Sequence, residues 1–298
     1  MAAISKKNFR AFYILVLLFF MWGFLTSMND ILVPHLKSAF TLKNWQAQLI
    51  QFFFFLAYLL MSVPAGILIK RIGYKRGIVW GLMLMGLAAL MFIPATYVHV
   101  YPLFLLALYF LATGITILQV AANPYVAVLG DESTAASRLN LAQGFNSLGH
   151  TIAPLIGAWL ILQNVAEVDV STIRIPYAVI GAVLIILAVV FSRIELPQIE
   201  YSDEDVGSEF VIWDYPHLFF GAIAIFFYVG AEISIGSFLV EYFRSDPSIG
   251  LDTVLAGSYV AYYWGGAMIG RFLGAITLGG KRSLVKMISV PIVAIVVV

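Results

Sequence analysis

Asp30 closes the polar pair Asn29-Asp30 near the end of an otherwise apolar run, residues 11–34, that reads Phe-Phe-Met-Trp-Gly-Phe-Leu-Thr-Ser-Met-Asn-Asp-Ile-Leu-Val-Pro over its second half. A carboxylate at membrane depth costs about 3 kcal/mol on insertion scales, so a chain that retains one there has a use for it. That use is to carry a proton or to ligate a cation. Neutral polar residues recur in other apolar runs at helical spacing. Trp22, Thr26, Asn29 and Asp30 form one set; Thr116, Gln119 and Asn123 a second; Asn140, Gln143, Asn146, Ser147 and His150 a third; Tyr228, Glu232 and Ser237 a fourth. Residues three, four and seven apart lie on one helix face. Asparagine and glutamine offer both donors and acceptors without a full charge, and an indole offers a flat apolar face. Together they suit a polyhydroxyl solute in an aqueous cavity, with Trp22, Asn29, Gln119, Asn123, Gln143, Asn146 and Tyr228 as its lining. The same amides also serve to join helices, at about 0.6 kcal/mol per interhelical bond. Stripes on four separate runs favour the cavity. Asp30 is then the acid available for coupling to an ion.

The elements that carry these stripes are set by composition. The chain is 62% hydrophobic and 11% charged, whereas a soluble domain has about 25% charged residues. It is an all-α membrane protein in expectation: apolar runs of about 20 residues each span a bilayer as a helix, and they are continuous rather than alternating. Spans are predicted near 11–33, 46–69, 77–98, 101–128, 137–163, 176–193, 216–243 and 253–278, with a ninth starting near Ser283. Pro124 predicts a kink or unwinding in the fourth. The Lys and Arg residues fall twelve on one side and four on the other, with Arg271 inside a span. Positive charge stays inside, which places the N-terminus in the cytoplasm. Arg271 is expected to snorkel or to bond helix ends, and His150 to pack or bond at a helix interface.

Two halves are visible. Phe19-Phe20-Met21-Trp22-Gly23 is matched by Phe226-Phe227-Tyr228-Val229-Gly230 at an offset of 207, and Gly73-Tyr74-Lys75-Arg76 by Gly279-Gly280-Lys281-Arg282 at 206. Both copies start on the same side, so the repeat is parallel, as in carriers made of two six-helix halves. The expected organisation is a six-helix bundle over 1–193, an acidic cytoplasmic linker over 194–215, and the start of a second bundle over 216–298. The chain is expected to hold about eight and a half of twelve helices.

Other classes find little support. The chain has no cysteine, and its four histidines share no ligand spacing, so no metal site is expected. No Ser–His–Asp order or phosphate loop suggests an enzyme. No basic helix suggests nucleic acid, and no cofactor is expected beyond a coupling proton, with sodium as the competing ion.

Three segments carry a resemblance: Met28-Asn29-Asp30-Ile31-Leu32-Val33-Pro34, Gln119-Val120-Ala121-Ala122-Asn123-Pro124-Tyr125-Val126, and Arg138-Leu139-Asn140-Leu141-Ala142-Gln143-Gly144-Phe145-Asn146-Ser147-Leu148-Gly149. With them the chain resembles the fucose–proton symporter family of the major facilitator superfamily, which includes glucose/galactose permeases. The resemblance implies a monosaccharide importer working by proton symport and alternating access. It would be a monomer in a bacterial inner membrane, with a sugar and the bilayer as its partners. A sodium-coupled symporter and a non-transporting sugar sensor are the alternatives. It also implies that Asp30 is the proton-linked carboxylate, that Asn146 lines the cavity, and that Gly66, Lys70, Arg71, Gly73, Lys75 and Arg76 belong to a gating loop. Lys70 stands where the superfamily pattern has an acid. Gln119 stands where the fucose symporter has a second acid, which makes fucose doubtful, favours the glucose/galactose branch and leaves Glu232 as a substitute.

Overall fold

A computed structural model describes residues 6–157, 170–194, 213, 215–245, 250 and 253–279. The described residues form eight long helices. They are α1 (Lys6–Ala39), α2 (Asn44–Ile72), α3 (Tyr74–Val98), α4 (Tyr101–Val128), α5 (Ala135–Gly157), α6 (Arg174–Arg193), α7 (Pro216–Ser245) and α8 (Thr253–Thr277). Each coincides with an expected span; α1, α2 and α3 extend beyond theirs by about a turn, and the others begin within two residues of the expected start. At 1.5 Å per residue, the 34 residues of α1 reach about 51 Å, well beyond a hydrocarbon layer of about 30 Å. Pro34, which marked the expected end of the first span, removes only its own N–H, and the helix runs on to Ala39. Pro124 likewise leaves α4 continuous through Val128, so the expected unwinding does not occur. The ninth span and nearly all of the acidic linker lie outside the described residues.

Among the described residues six helices are long and apolar enough to cross a membrane: α1 to α4, α6 and α7. In α5 the amide stripe itself dilutes the apolar composition. The chain divides into two compact units, residues 1–198 with 270–298, and residues 199–269.

In the first unit α3 is central, packing on α4 and α6; α4 packs on α2, and α1 packs on α2 and α5. With no hydrophobic gain from leaving lipid, membrane helices pair where small residues let backbones approach. Gly81 of α3 meets Gly114 of α4, and Gly86 of α3 meets Gly181 of α6: a Cβ on Gly81 would lie 2.9 Å from the Gly114 carbonyl oxygen, and one on Gly86 3.1 Å from that of Gly181. Phe92 stacks on the buried Tyr177 at 4.2 Å between ring centres. The tightest crossing joins α1 to α5. A Cβ on Gly23 would fall 2.0 Å from the Asn146 carbonyl oxygen, and one on Gly149 2.3 Å from that of Phe20.

Arg138 fastens the α4–α5 connection. It is 5% exposed. Its Nε donates to the Val126 carbonyl at 3.1 Å, and its other nitrogens donate to the carbonyls of Ala127 and Asp131 and to Thr134 Oγ1. The carbonyls of Val126 and Ala127 lie in the last turn of α4, where intrahelical donors run out. Outside the spans, the Ser133 hydroxyl and backbone N–H both donate to the Asp131 carboxylate and hold it below the usual carboxylate range.

Candidate functional site

The site is built where α1, α2, α4 and α5 come together in the first unit. Asp30 lies nine residues before the end of α1, or about 14 Å along the axis, and Gln51 seven residues into α2, about 11 Å. The two helices run in opposite directions from a short turn, so the two side chains sit at similar depth. Gln51 Nε2 donates to Asp30 Oδ1 at 2.8 Å, and Gln51 Oε1 accepts from Asn29 Nδ2 at 3.0 Å. Asn29 is 1% exposed, and its Oδ1 has no hydrogen-bond partner among the described residues. Asp30 keeps exposed side-chain surface although the protein around it is densely packed.

A second cluster lies one to two turns away. The Tyr58 hydroxyl of α2 faces Trp22 and Thr26 of α1 and accepts from Gln119 Nε2 of α4 at 3.2 Å. Gln143 Nε2 of α5 donates to Asn123 Oδ1 of α4 at 3.3 Å. Trp22, Gln119, Asn123 and Gln143 are all half-buried. They therefore keep polar or aromatic surface available, as a solute site requires. Asn146 differs. It is 3% exposed and donates from Nδ2 to the Phe19 carbonyl at 3.0 Å, so its side chain is engaged in joining α5 to α1. His150 Nδ1 is 2.8 Å from Ser27 Oγ, an interface bond of the kind expected for it. Thr116, on the Gln119 face, bonds back to the Ala112 carbonyl and is buried.

Arg271 does not snorkel. Its Nη1 donates to Ser147 Oγ at mid-span on α5, while Phe272 crosses Phe145 edge-on at 5.6 Å. In the second unit the Tyr228 hydroxyl donates to Glu232 Oε1 at 3.1 Å, one turn along α7, and the Tyr263 hydroxyl of α8 donates to the Glu232 carbonyl at 3.2 Å. The half-buried Glu232 is thus held by a phenol of its own helix.

The basic segment between α2 and α3 turns on Gly73, at φ 81°, a conformation that favours glycine. Its N–H caps α2 through the Ile69 carbonyl at 2.8 Å. Lys70, Arg71 and Arg76 are exposed and Lys75 is half-buried around that turn, while a Cβ on Gly66 would meet no atom within 4 Å.

Gln51, Tyr58 and Arg138 were not among the expected site residues. Gln51 and Tyr58 are seven apart and share a face of α2, the spacing that could have found them.

Long apolar helices, tied by interhelical amides around one accessible carboxylate, define a multi-pass membrane protein with a polar site inside its bundle. The chain belongs to the Major Facilitator Superfamily, whose family model matches residues 15–298. It is 52% identical over 285 residues to the glucose/galactose transporter of Brucella abortus (strain 2308), covering 92% of this chain and 68% of that one. It is 36% identical to the L-fucose–proton symporter of Escherichia coli (strain K12), over 92% of this chain and 67% of the relative. The crystal structure of a Major Facilitator Superfamily transporter, FucP, in the outward conformation superposes with a TM-score of 0.81 at 36% identity, covering 91% of this chain and 71% of that one. The family is one of transporters, and the chain is not an enzyme.

Proposed function

We propose that the protein is a secondary active transporter that imports a hexose of the glucose/galactose type together with a proton, by alternating access. The observation that carries the reading is Asp30, an accessible carboxylate held by Gln51 beside the buried Asn29 in α1. The 52% identity to a glucose/galactose transporter supports the choice of sugar. In this reading Trp22, Gln119, Asn123 and Gln143 meet the sugar, Asn29 and Asn146 shape the wall, and Asp30 takes the proton. No cofactor takes part. The protein works as a monomer in the bacterial inner membrane with its N-terminus in the cytoplasm, and the basic turn around Gly73 moves with the gate.

The test is a panel of radiolabelled sugars on the complete protein in liposomes, with an imposed proton gradient and separately with an imposed sodium gradient at fixed pH. Glucose and galactose are expected to accumulate with the proton gradient. Accumulation that follows sodium alone assigns the other ion, and an absence of counterflow for every sugar rejects a transporter and leaves a sensor.

Glu232 is the second proposed coupling acid. In this reading it supplies the second acid that the resemblance places at the position of Gln119, and Tyr228 orients it. Glu232→Gln in the same liposomes is expected to lower proton-driven accumulation by about tenfold, the scale of one lost charge-assisted interaction. Unchanged coupling and sugar affinity would leave Glu232 a purely structural residue.

A further inference from the structure

An amide that holds a carboxylate from one end and is itself held at the other has two arrangements, and which one it takes depends on the proton. Gln51 is such an amide. With Asp30 ionised, the carboxylate only accepts, and Gln51 Nε2 supplies its donor at 2.8 Å. Gln51 Oε1 is occupied by Asn29 Nδ2 at 3.0 Å. This arrangement leaves one group over: Asn29 Oδ1, buried and without a donor among the described residues. A buried acceptor left unmade is a standing cost.

Protonation inverts the requirement at Asp30. The proton arrives from water at the exposed carboxylate, forms an O–H bond, and converts an acceptor into a donor that needs an oxygen. The oxygen of the nearest amide is Gln51 Oε1. Reversal of that amide presents Oε1 to Asp30 and Nε2 to Asn29, whose Oδ1, once its own amide turns, is the acceptor that had no donor before. The relay Asn29→Gln51→Asp30 then runs the other way, Asp30→Gln51→Asn29. Because Asn29 and Asp30 are on α1 and Gln51 is on α2, the α1–α2 contact reads the charge state of the acid. We propose that Gln51 is a positioning residue of the coupling mechanism: it orients the ionised Asp30 carboxylate for proton exchange and, by reversing its amide, transmits protonation to the α1–α2 contact. The proposal rests on the reading of Asp30 as the proton site.

Its test is made in the complete protein, reconstituted in liposomes, with radiolabelled galactose as the probe. Two rates are measured: proton-driven accumulation, and counterflow, which needs no net proton movement. Gln51→Leu removes both ends of the relay, and Gln51→Met removes them at nearly the original side-chain length. Either variant is expected to lose accumulation at least about tenfold more than it loses counterflow, the loss of one charge-assisted hydrogen bond. In the double variant Asp30→Asn with Gln51→Leu, no loss beyond that of Asp30→Asn alone is expected, because Gln51 acts through Asp30. Parallel loss of both rates in both single variants makes Gln51 a residue of the fold alone and overturns the proposal, as do additive losses in the double variant. Coupling that survives Gln51→Leu while Asp30→Asn abolishes it overturns the role of Gln51 and leaves the proton site intact. Coupling that survives Asp30→Asn refutes the proton site itself.

Discussion

Asp30→Asn in the complete protein is expected to abolish proton-driven accumulation of sugar, by two orders of magnitude or more in initial rate, while counterflow continues. Asparagine occupies nearly the same volume, and its side-chain oxygen still accepts the Gln51 Nε2 bond seen at 2.8 Å. What disappears is the capacity to exist with and without a proton. Sugar binding and the conformational cycle need no net charge at this position; accumulation does, because without a titrating group the gradient has nothing to act on. The split between the two rates is therefore the signature, and a general loss of folded protein does not produce it. Sugar-driven proton uptake at the parental rate in the Asn variant would remove Asp30 from the mechanism.

The second large effect is on stability. Gly149→Val is expected to prevent recovery of folded protein, and Gly149→Ala to cost about 1–3 kcal/mol, the usual range for overpacking. The reason is the nature of the obstructing atoms. A Cβ on Gly149 would lie 2.3 Å from the Phe20 carbonyl oxygen and 2.7 Å from the Phe24 nitrogen, which are backbone atoms of α1 and cannot rotate aside. The helices would have to separate, and the Asn146–Phe19 and His150–Ser27 bonds would stretch with them. Gly66→Ala is the control, since its Cβ would meet nothing within 4 Å and alanine is the better helix former. Thermal unfolding in detergent distinguishes the two. Equal midpoints for the Ala variants at positions 149 and 66 would contradict the close crossing.

The helices were legible in the sequence because the bilayer sets their length: a run of about 20 apolar residues has few other structures available to it. Their ends were less so. Of the kink or unwinding read at Pro124 the unwinding does not occur, since a long helix tolerates the loss of one N–H when the residues on both sides continue to bond. The polar stripes were also legible, since helical spacing places Gln119 with Asn123 and Gln143 with Asn146. What spacing could not give is which side chain answers which. Asn29 and Gln51 are 22 residues apart and Gln119 and Tyr58 are 61 apart. Such pairs depend on how the helices cross, which small residues such as Gly23 and Gly149 decide. Asn146 shows the limit most clearly. Its stripe marks it as a neighbour of Gln143, but only the close α1–α5 crossing turns its amide onto a backbone carbonyl.

Arg138 has a consequence for how the protein is made. During insertion, before α4 and α5 have come together, its guanidinium is a free cation, and a charge of that kind resists crossing the membrane and helps fix which way the hairpin faces. Once the hairpin closes, the same group is withdrawn from water and bound to the carbonyls of Val126, Ala127 and Asp131. A lysine would serve the first role and fail the second, because one ammonium cannot reach several carbonyls in the plane of a guanidinium fork. The residue thus acts first on topology and afterwards as a fastener.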